Sequence, residues 1–406
     1  MIVSTLVLRG GRVIDPASAT DTVADVVIDD DLIVAVGPGA GLAWPTATIV
    51  DCSGLIVTPG LIDLHVHVLA GLGNFCVEPD VAGVDAGVPV VIDGGTSGTA
   101  TFEISRRAII DHPMTQTRVL AFVDPNQLYL ATKDFIAHRL HIADNIANLD
   151  LDELAACVER NADVIVGCKV RAVHTGDPSF SPFLAGAQQV LTDKPVMVHL
   201  GRFPHTPVIT TTALLQAMRP GDIITHAFRG AGGMVGSDGI ATGEFKDAVE
   251  RGVVLDIGHS GTDFRFREAR RLFDQGFFPT TASTDLNLFN VDGPVFTLAE
   301  TLTKLLALGL DLMQVVAMAT NNVAQVIHHD ELGALRVGAP AEVSVLRLRE
   351  DGPFPVSDGF EVVQSPVALE SIGCVRAGRW LPLAATPPSF ATRGKTWGEP
   401  AEDSDW

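Results

Sequence analysis

Pro59-Gly60-Leu61-Ile62-Asp63-Leu64-His65-Val66-His67 is the stretch on which the fold turns. A short apolar run bounded by a Pro-Gly turn reads as a buried strand. Side chains two apart on a strand share a face, so His65 and His67 aim two imidazoles into one space. Parallel-barrel enzymes carry their chemistry at the C-terminal ends of the strands, where this pair falls. An isolated H-x-H is equally the mark of two hydrogen-bonded core histidines. The Pro-Gly-Leu-Ile-Asp in front makes the pattern more specific.

Working outward, apolar strands alternate with helical stretches, the rhythm of a parallel sheet with crossover helices. The candidate strands are Leu61–His67, Pro89–Asp93, Arg118–Val123, Val164–Lys169, Val196–His199, Ile223–His226, Val253–Ile257 and Pro279–Thr284. Eight suit a (β/α)8 barrel. A doubly wound sheet is the competing arrangement, but no G-x-G-x-x-G follows an early strand. Tyr129 to Arg160 is the longest helical interval and is expected to cover the barrel mouth. Both ends of the chain differ from the middle. Thr5–Arg9, a Gly10-Gly11 turn, Arg12–Ile14, Ala24–Ile28, Leu32–Val36 and Ile49–Asp51 read as short strands and turns. Ala341–Leu348 and Gly373–Ala377 are β-like too, after a turn at Gly338–Ala341. The simplest organisation is a small β-sandwich domain from residues 1–56 and 331–385 around a barrel of residues 57–330. The Pro-, Gly- and acid-rich remainder, 386–406, is expected to be extended or disordered.

The bulk numbers narrow the class. With 47% hydrophobic and 19% charged residues, 406 residues suffice for one large core and a smaller one. A net charge of −21 argues against nucleic acid or an anionic membrane as partner and leaves a small molecule, with homo-oligomers still open. Met1–Gly11 has none of the marks of a signal peptide, and no apolar run is long enough to span a bilayer. Cys52, Cys76, Cys157, Cys168 and Cys374 are scattered and odd in number, as reduced thiols of a cytoplasmic protein would be.

Four more ionisable residues sit where later strands end: Lys169, His199, His226 and Asp285. Each alone is more often structural than catalytic. A lysine closing an apolar run must be paired or chemically altered if buried. This order resembles the binuclear form of the amidohydrolase superfamily, with H-x-H on the first strand, Lys on the fourth, His on the fifth and sixth, and Asp on the eighth. The resemblance implies CO2 carried on Lys169 as a carbamate that bridges two cations. His65, His67 and Asp285 would hold one ion, and His199 and His226 the other. Imidazole and carboxylate ligands suit zinc, and also admit manganese or iron.

Within that superfamily the chain looks most like the deacetylase branch, often labelled dihydroorotase-like. Lys169-Val170-Arg171, Met197-Val198-His199-Leu200-Gly201, Thr225-His226-Ala227-Phe228-Arg229-Gly230, Asp256-Ile257-Gly258-His259 and Ser283-Thr284-Asp285-Leu286 carry the likeness. Asn287 stands where the branch usually has His, and Arg202 where it usually has an acid. The implied reaction is hydrolysis of an acyl bond in a small acylated compound, an amide or an ester. The two cations would lower the pKa of a bridging water, and the hydroxide so formed would attack. Asp285 would act as general base and then as general acid. A cyclic amidase of the hydantoinase or dihydroorotase kind is the first alternative. Dihydroorotase proper would have an arginine soon after H-x-H, where Val68-Leu69-Ala70-Gly71 stands. A mononuclear deaminase would not require Lys169, and a non-catalytic homologue would not require the full ligand set.

His259 is a candidate to polarise the substrate carbonyl or grip an anion, against an equal chance of a backbone-bonded loop histidine. Arg229 and Arg171 are candidates for a substrate carboxylate, against surface salt bridging, which is favoured for Arg171. His174, His205, His328 and His329 look peripheral, and Cys76 looks inert. Gly94-Gly95-Thr96-Ser97-Gly98 lacks the ending of a phosphate loop and reads as a flexible loop after the second strand.

Overall fold

The structure is a computed structural model that describes residues 5–383 except 202, 204, 230, 231 and 233. Arg202 and the tail from 386 therefore lie outside the described residues. Five strands open the chain: β1 (Leu6–Asp15), β2 (Thr20–Asp29), β3 (Leu32–Gly37), β4 (Thr48–Asp51) and β5 (Ile56–Pro59). Seven follow: β6 (Ile62–Val66), β7 (Val90–Gly98), β8 (Arg118–Asp124), β9 (Ile165–Val170), β10 (Val196–His199), β11 (Ile223–Thr225) and β12 (Val254–Leu255). Five close it: β13 (Val343–Arg349), β14 (Phe354–Ser357), β15 (Val362–Ser365), β16 (Ala368–Arg376) and β17 (Arg379–Pro382).

The expected β-sandwich takes the form of one branched sheet from both ends, ordered β17-β16-β13-β5-β1-β2-β3, with β4 also on β1. Its own apolar core includes Leu8, Val26, Ile33, Val57 and Val345. The Gly10-Gly11 turn is not there. Those residues form a bulge inside the single strand β1, where the register slips between Leu8 and Gly11. Gly10 takes φ +70° and donates its N–H to Asp25 Oδ1 at 2.9 Å. The bulge absorbs what looks in sequence like a strand break.

The middle strands form a parallel seven-stranded sheet in sequence order, β6 to β12. Helices cross between them, and Leu151–Arg160, Pro182–Val190, Thr211–Ala217 and Gly243–Glu250 each begin at a side-chain cap. Asp150, Ser181, Thr210 and Thr242 accept the N3 backbone N–H there, satisfying donors that a helix start leaves open. Inside the curled sheet Ile62, Leu64, Ile92, Phe122, Met197 and Ile223 form one apolar cluster. Alternate residues, such as Val91, Val119 and Val198, belong to a second cluster with the helices.

Pro279–Thr284 is not a regular eighth strand. It closes the barrel by single bridges, Thr281 to Asp256 on one side and Leu286 to Val66 on the other. Buried polar groups replace the missing ladder. Asp63 accepts from Thr284 N at 3.0 Å and from Thr284 Oγ1 at 2.6 Å, pinning the eighth segment to β6. Burial pushes the Asp63 carboxyl up to about 7.

Two further expectations change. Gly94–Gly98 is the buried end of β7, not a flexible loop. A Cβ at Gly94 would lie 2.1 Å from the His65 ring and one at Gly95 2.3 Å from Lys169 Cβ, so glycine here is what admits those side chains. The interval Tyr129–Arg160 is not one long helix but three separate helical pieces joined by irregular chain. It is helical only at Ile136–Arg139, in a short 3-10 turn at Ile146–Asn148 and at Leu151–Arg160. Its first part does reach the barrel mouth, where the His138 ring stacks on Phe203.

Asp63→Ala leaves two buried donors of Thr284 without partners. Unfolding by denaturant should show a loss of about 2–6 kcal/mol, the sum of two unsatisfied groups. An unchanged midpoint would mean that the eighth segment is held elsewhere.

Candidate metal centre

The strand ends bring His65, His67, Lys169, His226 and Asp285 into one buried space at the barrel mouth. The ring centroids of His65 lie 5.5 Å from His67 and 5.4 Å from His226, and His199 lies 4.4 Å from His226. Lys169 Nζ is 2.7 Å from His65 Nε2. His226 and Asp285 hold positive φ angles of 65° and 51°, rare for residues with a side chain and concentrated at functional sites.

Hydrogen bonding fixes the tautomers of three imidazoles. Thr225 Oγ1 gives its one proton to Asp256 Oδ2 at 2.8 Å, so at 3.0 Å it accepts from His65 Nδ1. Thr96 Oγ1 likewise donates to Asp93 Oδ2 at 2.8 Å and accepts from His67 Nδ1 at 2.7 Å. His226 Nδ1 donates to the Gly258 carbonyl at 2.6 Å. All three rings are thus left with an Nε2 lone pair facing inward, oriented by a partner behind, as metal-ligating histidines require.

Those lone pairs meet another acceptor. Asp285 Oδ1 is 3.2 Å from His67 Nε2 and 3.5 Å from His65 Nε2, and Asp285 Oδ2 is 4.0 Å from His226 Nε2. His226 Nε2 and Asp285 Oδ1 are buried without a hydrogen-bond partner. Acceptors so close repel unless a cation or proton lies among them. Burial holds His67 down to about 3, so its ring is neutral at ordinary pH. Burial also lifts Asp285 to about 6, against the nearby His226 and Lys169. Two groups of ligand atoms fit a cation, His65–His67–Asp285 and His226–Asp263–Asp285, each with its atoms within 4.8 Å of one another. They share Asp285.

Burial, with the charge of Arg171, brings the Lys169 ammonium down to about 7, so a large share is free amine near neutrality. His199 stands beside His226 and packs its other side on Phe203 at 4.4 Å, but it does not join either close group.

Both arginines face inward. Arg171 is buried, not on the surface: it donates to Asp124 Oδ2 at 2.6 Å and lies 3.7 Å over the Tyr129 ring. Arg229 donates to the Leu200 carbonyl at 2.6 Å and pairs with Asp263 at 3.2 Å. His259 turns to a different partner, its Nε2 2.9 Å from Lys304 Nζ, while Gly261 N–H reaches its Nδ1 at 3.0 Å. Cys76 is buried with its thiol 3.7 Å from Thr96 Oγ1. Sequence reasoning assigned no role to Asp263, Asp93, Asp256, Thr96, Thr225 and His138. Thr225 adjoins His226 and Asp256 opens a quoted motif, so those two had a local signal. Asp263 and His138 had none, since only the folded chain brings them to the mouth.

No family model matches the chain. A deacetylase of Agrobacterium fabrum is 31% identical over 377 residues, 90% of each chain. A deacetylase of Brucella anthropi is 30% identical over 379 residues, 90% of this chain and 91% of its own. The chain belongs to the deacetylase-like branch of the amidohydrolase superfamily. The crystal structure of a dihydroorotase superposes with a TM-score of 0.80 at 29% identity, over 95% of this chain and 98% of that one. An adenine deaminase superposes with a TM-score of 0.81 over 93% and 99%, but at 24% identity it speaks for the fold alone. Family and paired His/Asp groups together make this amidohydrolase a metal-dependent hydrolase, with Asp285 common to both groups.

The threonine relays make a test. Thr96→Val keeps the shape and removes the group that orients His67, so metal affinity should fall about 10–100-fold. Competition with a chelator measures it, and an affinity equal to the parent's would exclude the relay.

Proposed function

We propose that this amidohydrolase cleaves the acyl bond of a small uncyclised molecule, an N-acyl amine or an acetyl ester. His65, His67, Lys169, His199, His226 and Asp285 would hold two divalent ions, zinc by ligand chemistry, with Lys169 carrying CO2 as a carbamate. The observation that carries the reading is the convergence of imidazole lone pairs on Asp285, 3.2 and 3.5 Å away. Bound ions would supply a Lewis acid and a water acidic enough to react near neutral pH.

The chain's own residues do the rest. Asp285 Oδ1, buried and without a hydrogen-bond partner, is the group placed to take a proton and return it to the leaving amine or alcohol. Thr225 and Thr96 keep the rings of His65 and His67 aimed, and burial keeps them neutral. The stacked rings of His138 and Phe203 stand beside His199 at the mouth.

A cyclic amidase is the second reading, supported by the likeness to a dihydroorotase structure. Val68-Leu69-Ala70-Gly71 offers no cation for a carboxylated ring, which favours the uncyclised substrate. The net charge of −21 supports a small molecule over nucleic acid as partner. Five buried free cysteines support a reducing, cytoplasmic setting.

Asp285→Asn keeps the shape and one oxygen ligand and loses the base. Hydrolysis of acetylated amines and esters by the metal-loaded variant should fall by about 10²–10⁴-fold, mainly in kcat. A variant within a few-fold of the parent, with its metal retained, would place the proton shuttle on another residue.

A further inference from the structure

One buried lysine stands outside the metal site. Lys304, on the helix Leu298–Ala307, is fully enclosed. Among the described residues its Nζ bonds to two groups, the Pro294 carbonyl at 2.6 Å and His259 Nε2 at 2.9 Å. Burying an amine costs free energy that an apolar side chain of the same length would not. Glu300 and Asp358 act on it through their charge. Yet Glu300 Oε1 is buried without a hydrogen bond, and Asp358 is taken by the backbone N–H groups of Phe266, Phe360 and Glu361.

Counting protons fixes how the contact with His259 works. Gly261 N–H reaches His259 Nδ1 at 3.0 Å, so Nδ1 carries a lone pair and the neutral ring keeps its proton on Nε2. Burial and the nearby Lys304 hold that ring neutral. An ammonium at Lys304 would meet the Nε2–H donor to donor. As a free amine, Lys304 accepts from Nε2–H and donates to the Pro294 carbonyl, and both groups are satisfied. Burial brings the Lys304 ammonium down to about 8, toward this form.

His259 belongs to a loop that is bonded to the metal site. Its N–H donates to the Ser283 carbonyl at 3.1 Å, and Ser260 N–H donates to the Thr284 carbonyl at 2.9 Å. The adjacent Gly258 carbonyl accepts from His226 Nδ1 at 2.6 Å. Asn290 Nδ2 donates to the Ser260 and Asp285 carbonyls, each at 2.8 Å. The β14–β15 hairpin packs on the same loop, where a Cβ at Gly359 would lie 2.2 Å from the Gly261 carbonyl oxygen. Through the His259 ring, the helix Leu298–Ala307 grips a loop tied to both His226 and Asp285.

We infer that Lys304 is a positioning residue for the metal centre: through His259 it sets the loop whose Gly258 carbonyl aims His226. The inference rests on the metal centre and not on the substrate, so the fate of the acyl-hydrolase reading leaves it untouched.

Chelator competition, read on the alkaline side of the lysine's titration, tests it without any substrate. Lys304→Met fills the space without an amine, and metal affinity should fall about tenfold or more, as when a partner behind a ligand is lost. His259→Phe should lose a similar amount. The double variant should lose no more than either single one, since both break one chain of contacts. Thr303→Val is the control for stability alone. The Thr303 hydroxyl, buried on the same helix, donates to the Ala299 carbonyl and accepts from Leu369 N–H, both at 2.9 Å. That variant should unfold more easily and keep the parent's metal affinity. Unchanged affinity in Lys304→Met, additive losses in the double variant, or an equal drop in Thr303→Val would overturn the inference. The parent protein gives a second reading that needs no folded Lys304 variant. Two-bond proton–nitrogen NMR correlations, assigned by their absence in His259→Phe, should place the His259 proton on Nε2. A proton on Nδ1 would overturn the inference as well.

Discussion

Lone pairs from His65, His67 and His226 are turned toward the carboxylate of Asp285, inside a site that water barely reaches. Left alone, such a set is repulsive and unsolvated. The molecule spends much of its architecture holding it together. Asp256 and Asp93 anchor the threonines behind His65 and His67, and the Gly258 carbonyl anchors His226. Gly94 and Gly95 clear space for His65 and Lys169. Asp63 holds the eighth segment where Asp285 can face the others. A cation would convert the repulsion into attraction, which makes metal binding part of the folded state's stability.

The same arrangement explains where charge goes. Asp124 pairs with the Arg171 guanidinium and Asp263 with that of Arg229. The carboxylates of Asp93 and Asp256 are saturated with hydroxyl and backbone donors. Among the described strand-end groups, His226 Nε2 and Asp285 Oδ1 are buried with no hydrogen-bond partner and stay open to a ligand. Lys169 stands near them as a buried amine, deprived of solvent and close to His65. Burial and polar satisfaction thus concentrate reactivity at a few atoms.

Much of this was legible in sequence. The apolar runs named seven parallel strands, and H-x-H with Lys169, His226 and Asp285 named groups that the fold does bring together. Regular periodicity made those visible. What it concealed was irregular. Gly10-Gly11 broke the pattern of a strand that continues through a bulge. Gly94–Gly98 looked like a loop because small residues are needed beside two large side chains. Pro279–Thr284 looked like an ordinary strand, yet it is held by side chains and single bridges. His259 and both arginines followed promising motifs, and only the fold reveals Lys304, Asp124 and Asp263 as their partners.

The metal content of the purified protein bears most directly on this account. Cells grown with added zinc or manganese should yield protein whose elemental analysis approaches two transition-metal ions per chain. A value of one or below in protein that is fully active would contradict a binuclear centre shared through Asp285.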